Sequence, residues 1–334
     1  MNDVTLRRVP GNPVISVVMA NYRAAAYLPA ALESVLAQTV RDIEVIVSDD
    51  ASPDESAAIV RQFTARDPRV RLVEARENGG PAAARNRALA EARGEWVAIV
   101  DSDDIIRPER FEILLAAAAG LKADAIADDL LYFSERSSGP TLLGSMMAAG
   151  GRPMPLSAEF FVRANTSGNG LPPLGYLKPL FRRSRIADLA YDETVRIAED
   201  YDFLLRFLLD GGRFFILPEP LYLYRRHSAS ISYRLSEAYV LAMIGNQQAL
   251  VAAHGDRLPP DVRHALDLRM KSLSRALAFE RLVAAMKGRQ ATRALGMLAA
   301  DPRLLAPLAR SASEHWRSRL AKPARMTTGA VDAG

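Results

Sequence analysis

Three carboxylates fall within four residues at Asp101-Ser102-Asp103-Asp104. Like charges this close repel, and the cluster is costly unless a cation or hydrogen-bond donors compensate it. Carboxylate oxygens suit a hard divalent ion, Mg2+ or Mn2+, which keeps one or two protein carboxylates and completes its shell with water and phosphate oxygens. The plainer account is an acidic helix start, with Asp104 near an N-terminal turn where anions are favoured. A second acidic pair, Asp49-Asp50, can accept a hydrogen bond from a base imide or a ribose hydroxyl, or cap the helix that follows. Arg85 and Arg87 lie just inside a helix start after Asn78-Gly79-Gly80-Pro81. A helix start with arginines can clamp a diphosphate, although the commoner fate of a single arginine is the surface. Glu199-Asp200 opens an amphipathic segment carrying Phe203, Leu204 and Phe207. A carboxylate at the cleft end of such a helix can act as a general base, and composition does not choose between that and a solvated helix start. His227 follows Arg225-Arg226. A lone histidine is more often structural than a ligand, yet beside two arginines it can meet a phosphate or a metal.

The elements that must position these residues alternate regularly. Val14–Met19 is a short apolar, β-branched run and reads as a buried strand. Tyr27–Thr39 carries Leu28, Leu32, Val35 and Leu36 at helical spacing. Ile43–Val47 is a second strand, and Ser52-Pro53-Asp54-Glu55 has the spacing of a capped helix start. Val70–Val73, the Ala-rich helix 82–92 and Trp96–Val100 continue the pattern. Strand–helix alternation over a hundred residues implies a mainly parallel sheet with helices on both faces. Ligands of such sheets bind outside the carboxyl ends of the strands, where Asn21 and Tyr22, Asp49 and Asp50, and the 101–104 cluster all fall. Asp124–Phe133 reads as a further strand, 137–155 as a mobile loop, Gly168–Pro173 as an irregular stretch, and Ala198–Leu209 as a helix. Phe214–Pro218 and Leu221–Tyr224 read as two short strands, and the chain after Ser236 is almost wholly helical, with 323–334 frayed.

Composition narrows the chemistry. The chain has 334 residues, 49% hydrophobic and 25% charged, which is the range of a globular protein of one large or two smaller domains. It contains no cysteine, so thiol nucleophiles, cysteine-ligated metals and disulfides are excluded, and its four histidines are too few for a His-rich metal site. No run of eighteen apolar residues occurs, and the first residues lack a signal-peptide core. The expectation is a cytoplasmic protein. The charge is uneven: residues 1–235 hold 28 Lys+Arg against 31 Asp+Glu, whereas 236–334 hold 15 against 8. A solvated helical surface accounts for this, and so does an anionic partner such as a lipid surface.

Taken together, six segments resemble the inverting family-2 glycosyltransferases of the GT-A fold. They are ISVVMANYR (15–23), IEVIVSDDAS (43–52), NGGPAAARN (78–86), WVAIVDSDD with RPER (96–104 and 107–110), AEDYDFLLR (198–206) and YRRHSASIS (224–232). ADDLLYF (127–133) and LGYLKPLF (174–181) are similar to exopolysaccharide glucosyltransferases of the succinoglycan type. The resemblance covers 14 to about 235. It implies an α/β GT-A catalytic domain over 1–235 and leaves 236–334 as a basic, mainly helical extension. It further implies that Asp50 holds the uracil and that Ala20 and Tyr22 contact the base. Arg85 would stand near the nucleotide, Asp101 and Ser102 at the donor, Asp103 on Mg2+ or Mn2+, and Asp200 as the base. His227 sits where some members place a donor-phosphate or metal contact. Arg23 departs from the pattern, since many members carry Asn there.

The activity so implied is transfer of a sugar, with glucose from UDP-glucose favoured, onto a saccharide or polyprenyl-diphosphate-oligosaccharide acceptor. Nucleic acid is not an expected partner. A catalytically silent sugar-nucleotide-binding module is the alternative, and Asp103 and Asp200 argue against it. A nucleotidyltransferase would need a Gly- and Lys-rich phosphate loop near the first strand and would leave Asp200 idle. In the extension, Leu266, Met270, Leu273 and Leu277 form a stripe over 262–287, continued by Phe279, Leu282, Val283 and Met286. Arg263, Arg269, Lys271, Arg275, Arg281 and Lys287 surround it. Such a helix suits the inner membrane surface, or packing on the catalytic domain or in a homo-oligomer.

Overall fold

A computed structural model describes residues 11–136, 139–145, 151–227, 236–305 and 308–309. The strands are β1 (Ile15–Asn21), β2 (Ile43–Asp49), β3 (Val70–Glu74), β4 (Trp96–Ile99), β5 (Ile105–Ile106), β6 (Ala125–Arg136), β7 (Gly139–Ser145), β8 (Met154–Leu156), β9 (Leu180–Arg182) and β10 (Phe214–Arg225). The helices are α1 (Leu28–Leu36), α2 (Ser56–Arg66), α3 (Pro81–Ala90), α4 (Arg110–Leu121), α5 (Ala158–Ala164), α6 (Glu199–Leu209), α7 (Glu237–His254), α8 (Pro260–Lys287) and α9 (Ala291–Ala300).

One sheet runs in the order β3-β2-β1-β4-β9-β6-β10-β5, with β7 paired to β6 and β8 to β10. β3, β2, β1 and β4 are mutually parallel, in the register Ile15 opposite Ile43 and Trp96. β9 runs antiparallel to both β4 and β6, so β4 and β6 point the same way. β10 is parallel to β6. The carboxyl ends of β1, β2, β4, β6 and β10 therefore share one edge. The continuous apolar runs of β1 and β2 are buried on both faces, as a helix-covered parallel sheet requires.

Local readings change in four places. The helix after β2 starts at Ser56, not at a Ser52 cap: Ser52 Oγ instead accepts from Arg23 N at 3.0 Å, and Asp54 Oδ1 accepts from Ser56 N at 3.1 Å. The span 137–155, read as a loop, contributes β7 and β8; its residues 137–138 and 146–150 lie outside the described residues. Those two strands pair only at the margins of the sheet, where alternation is a weak signal. The two short strands at 214–224 are one strand with a register shift between Leu217 and Tyr222, where Pro218 and Pro220 lack the N–H a ladder needs. Asp104 does not open a helix, since α4 begins at Arg110.

The main core continues past residue 235: Leu250 from α7 and Val262, Ala265 and Leu266 from α8 join it. Further along α8, Leu282 and Ala285 form a separate small cluster with Ala294 and Leu304. Arg269 is not part of a solvated basic frame, being only 4% exposed. Residues 310–334, including the stretch read as frayed, lie outside the described residues.

Candidate active site

Asp50 follows β2 and is 1% exposed. Its carboxylate accepts from Gly79 N at 3.1 Å, Gly80 N at 2.7 Å and Arg87 Nη2 at 2.5 Å. Gly80 has φ +89, a backbone state open to glycine, and it turns the chain into α3 with Pro81 at the first helical position. The neighbouring Asp49 does the loop capping, accepting from Asn21 Nδ2 at 2.6 Å and Ser52 N at 2.9 Å. Ala20 is partly exposed at the end of β1 and Tyr22 is 47% exposed just beyond it. Arg23 sits at φ +55, a left-handed conformation that Asn enters more readily than Arg.

After β4 the acidic cluster divides its labour. Asp101 Oδ1 meets Arg85 Nη2 at 3.0 Å, and its Oδ2 meets Lys178 Nζ at 2.7 Å. Burial pushes the Asp101 carboxyl up, but Lys178 and Arg85 outweigh it and bring the group down to about 2. Ser102 is buried. Asp104 is buried and accepts from Tyr222 Oη at 2.8 Å and Arg225 N at 2.7 Å. Burial, then the charges of Asp103 and Asp101, raise its pKa well above the usual carboxylate value. Asp103 is partly exposed, and His227 Nε2 lies 3.0 Å from its Oδ2. The His227 ring also packs on Tyr27, with centroids 4.8 Å apart, and its buried Nδ1 has no partner among the described residues.

Asp200 arrives on the first turn of α6. Its Oδ2 is 2.8 Å from Lys178 Nζ and its Oδ1 is 3.2 Å from Arg85 Nη1. Arg85 Nη1 also donates to Glu199 Oε1 at 2.6 Å. Burial and the adjacent Asp200 charge raise the Glu199 pKa against the pull of Arg85. Burial works against the Lys178 ammonium, yet Asp101 and Asp200 hold its pKa above the ordinary lysine value. Two buried cations thus bind three carboxylates from distant parts of the chain.

The sequence matches Glycosyl transferase family 2 over residues 16–161. It is 34% identical to Succinoglycan biosynthesis protein ExoO of Rhizobium meliloti (strain 1021) over 305 residues, 90% of this chain and 85% of that protein. The chain belongs to glycosyl transferase family 2. A second relative from the same organism, Succinoglycan biosynthesis protein ExoU, is 32% identical over 76% of this chain and 79% of its own length. The fold of this family-2 glycosyltransferase matches that of S. aureus TarS, solved in complex with UDP-GlcNAc, at a TM-score of 0.60 and 22% identity, over 80% of this chain and 73% of that one. A mannosyltransferase from Pyrobaculum calidifontis, solved with GDP-Man and Mn2+, gives a TM-score of 0.53 at 21% identity, over 90% of this chain and 80% of that one.

In this family-2 glycosyltransferase, Asp101, Asp103 and Asp104 bring carboxylate oxygens within 4.8 Å of one another. The donor set is all hard oxygen and fits a divalent ion. Asp101 and Asp104 are each engaged by two protein groups, whereas the side chain of Asp103 meets His227 Nε2 at 3.0 Å. Three participants escaped the sequence reading: Lys178 as a shared cation, Arg87 as the Asp50 partner, and Tyr222 as the donor to Asp104. A buried lysine in LGYLKPLF was the available signal, since a charge in so apolar a run needs a partner.

Proposed function

We propose that residues 1–235 form the catalytic domain of an inverting transferase that moves glucose from UDP-glucose to a lipid-linked oligosaccharide during exopolysaccharide assembly. The observation that carries this reading is that Asp101, two residues before Asp103, and Asp200 share Lys178 and Arg85 at the sheet edge where the carboxylate of Asp50 is also enclosed. The two relatives, both succinoglycan biosynthesis proteins, support a succinoglycan-like polysaccharide as the product. The nucleotide-sugar complexes of TarS and the mannosyltransferase support a sugar-nucleotide donor, and the Mn2+ of the latter supports a divalent metal.

Asp103 would hold the ion, with His227 at its side. The bound ion would neutralise charge on the departing diphosphate. Asp50, Ala20 and Tyr22 would take the uracil, and Arg85, Asp101 and Ser102 would border the donor. Asp200 would accept the proton of the acceptor hydroxyl as that oxygen attacks the anomeric carbon. The bond to UDP breaks on the opposite face, so an α-linked donor gives a β-linked product. Lys178 and Arg85 would fix the direction of the Asp200 oxygens.

The extension fits peripheral contact with the membrane that carries such an acceptor. Met286 and Leu295 are exposed near the exposed Lys287, Arg289 and Arg293, and no helix among the described residues is long and apolar enough to cross a bilayer. Salt-sensitive flotation with anionic vesicles tests this; a concentration-dependent dimer that does not float assigns the face to self-association. The central test is a panel of nucleotide sugars read by UDP release with lipid-linked oligosaccharide as acceptor. Acceptor-dependent UDP release, lost with chelator and in Asp103→Ala, supports the reading. Release of diphosphate, or of neither product with any donor, refutes it.

A further inference from the structure

Behind the catalytic face of α6 lies a small cavity walled by α6, α7 and α8. Tyr201, Asp202, Asn246, Gln247 and Arg269 supply its polar lining, and its volume is about 10 Å³, room for one water-sized body. Arg269 is 4% exposed, yet no carboxylate among the described residues pairs with it. Its Nη1 donates to Gln247 Oε1 at 2.6 Å and its Cζ lies 4.0 Å from the Tyr201 ring centroid. Among the described residues its buried Nε has no hydrogen-bond partner, and neither has the buried Tyr201 hydroxyl. Gln247 cannot balance the charge, because it is a neutral amide whose Nε2 is spent on Leu266 O at 2.6 Å. Asp202 is engaged by Arg206, at 2.8 Å to Nε and 2.7 Å to Nη2.

Two other buried arginines meet carboxylates: Arg85 has three and Arg110 has Asp128 at 2.8 Å. A guanidinium stays protonated in proteins, and a buried charge without a counter-ion is strongly disfavoured. The aromatic ring offsets part of this cost. A water could satisfy the two orphaned hydrogen-bonding atoms but would leave the charge unbalanced.

We propose that this cavity is a binding site for a single monatomic anion, chloride under ordinary conditions, held by Arg269 and the Tyr201 hydroxyl. The ion would tie α8 to the first turn of α6, one residue from Asp200. This site is independent of the donor and acceptor assignments above.

Thermal unfolding of the full chain tests it, in sodium chloride against sodium gluconate at equal ionic strength and with UDP present throughout. Gluconate is too large for the cavity. Raising chloride from zero to about 200 mM should raise the wild-type midpoint by roughly 2–4 °C if the site binds in the millimolar range. Arg269→Met and Tyr201→Phe should lose that dependence; Tyr201→Phe, which removes one oxygen, serves if Arg269→Met does not fold. Crystals grown in sodium bromide should show an anomalous peak against Arg269 Nε. An unchanged midpoint with water at that position overturns the proposal and leaves Arg269 as a packing partner of Tyr201. A chloride effect retained in both variants overturns it equally, by placing the ion elsewhere.

Discussion

Asp50 and Asp101 follow strands on either side of β1, yet their surroundings are assembled on different scales. Asp50 is enclosed by Gly79, Gly80 and Arg87, all within 37 positions of it and all on the next crossover. Its donors are mostly backbone N–H groups, which the turn itself aims. Asp101 depends on Lys178, which the chain brings from the irregular stretch before β9, and shares Arg85 with Glu199 and Asp200 from α6. One pocket is local and built from two backbone dipoles and a single arginine; the other is assembled over a hundred residues from full charges. The first should tolerate change elsewhere in the molecule, whereas the second should answer to any change in its charge balance.

Asp200→Asn probes the long-range pocket most severely. It keeps the side-chain volume and removes the basic oxygen, so turnover should fall by about 10²–10⁴ with UDP binding intact. Isothermal titration beside initial rates separates the two; weaker UDP binding with normal turnover would move Asp200 to the donor side. Lys178→Met comes next. It leaves Asp101 and Asp200 with Arg85 as their only buried cation, and loss of one partner of a buried pair should cost roughly 3–5 kcal/mol in a denaturant titration. If the loss is under about 1 kcal/mol, solvent rather than Lys178 is screening these carboxylates.

On the local side, Asp50→Ala should weaken UDP binding by about 1–3 kcal/mol, because a buried acceptor is lost and Gly79, Gly80 and Arg87 are left without it. An unchanged UDP affinity would confine Asp50 to fixing the 79–80 turn. The smallest effect is in acid. The folded pKa of Asp101, about 2, lies below its unfolded value of 3.8. Its contribution is therefore present above pH 3.8 and lost as pH falls toward 2, on the order of 1–2 kcal/mol. Asp101→Asn should flatten the stability curve in that window.

The contrast also explains what could be read in advance. β1, β2, β3 and β4 and the helices between them were legible because apolar, β-branched runs alternating with helical spacing report a helix-covered parallel sheet. The start of α2 was misplaced by three residues: Ser52-Pro53-Asp54-Glu55 satisfies a capping pattern, but Ser52 is drawn to Arg23 N across the loop. β7 and β8 were missed because strands at a margin need little alternation. In α8, the spacing of the stripe was correct, yet spacing could not show that Arg269 turns inward while Met286 turns out.

By itself the sequence determined the catalogue of reactive groups: carboxylates without cysteine, placed after strands whose parallel order brings their carboxyl ends to one edge. Strand period and turn chemistry are local, so they are written locally. Only the tertiary structure decided what each carboxylate meets. Asp49 caps a loop, Asp101 is neutralised by Lys178 and Arg85, Asp104 is buried under Tyr222, and Asp103 remains partly exposed. A carboxylate's charge state and orientation depend on what lies within a few ångströms of it, and in this chain those neighbours come from segments up to 124 positions away.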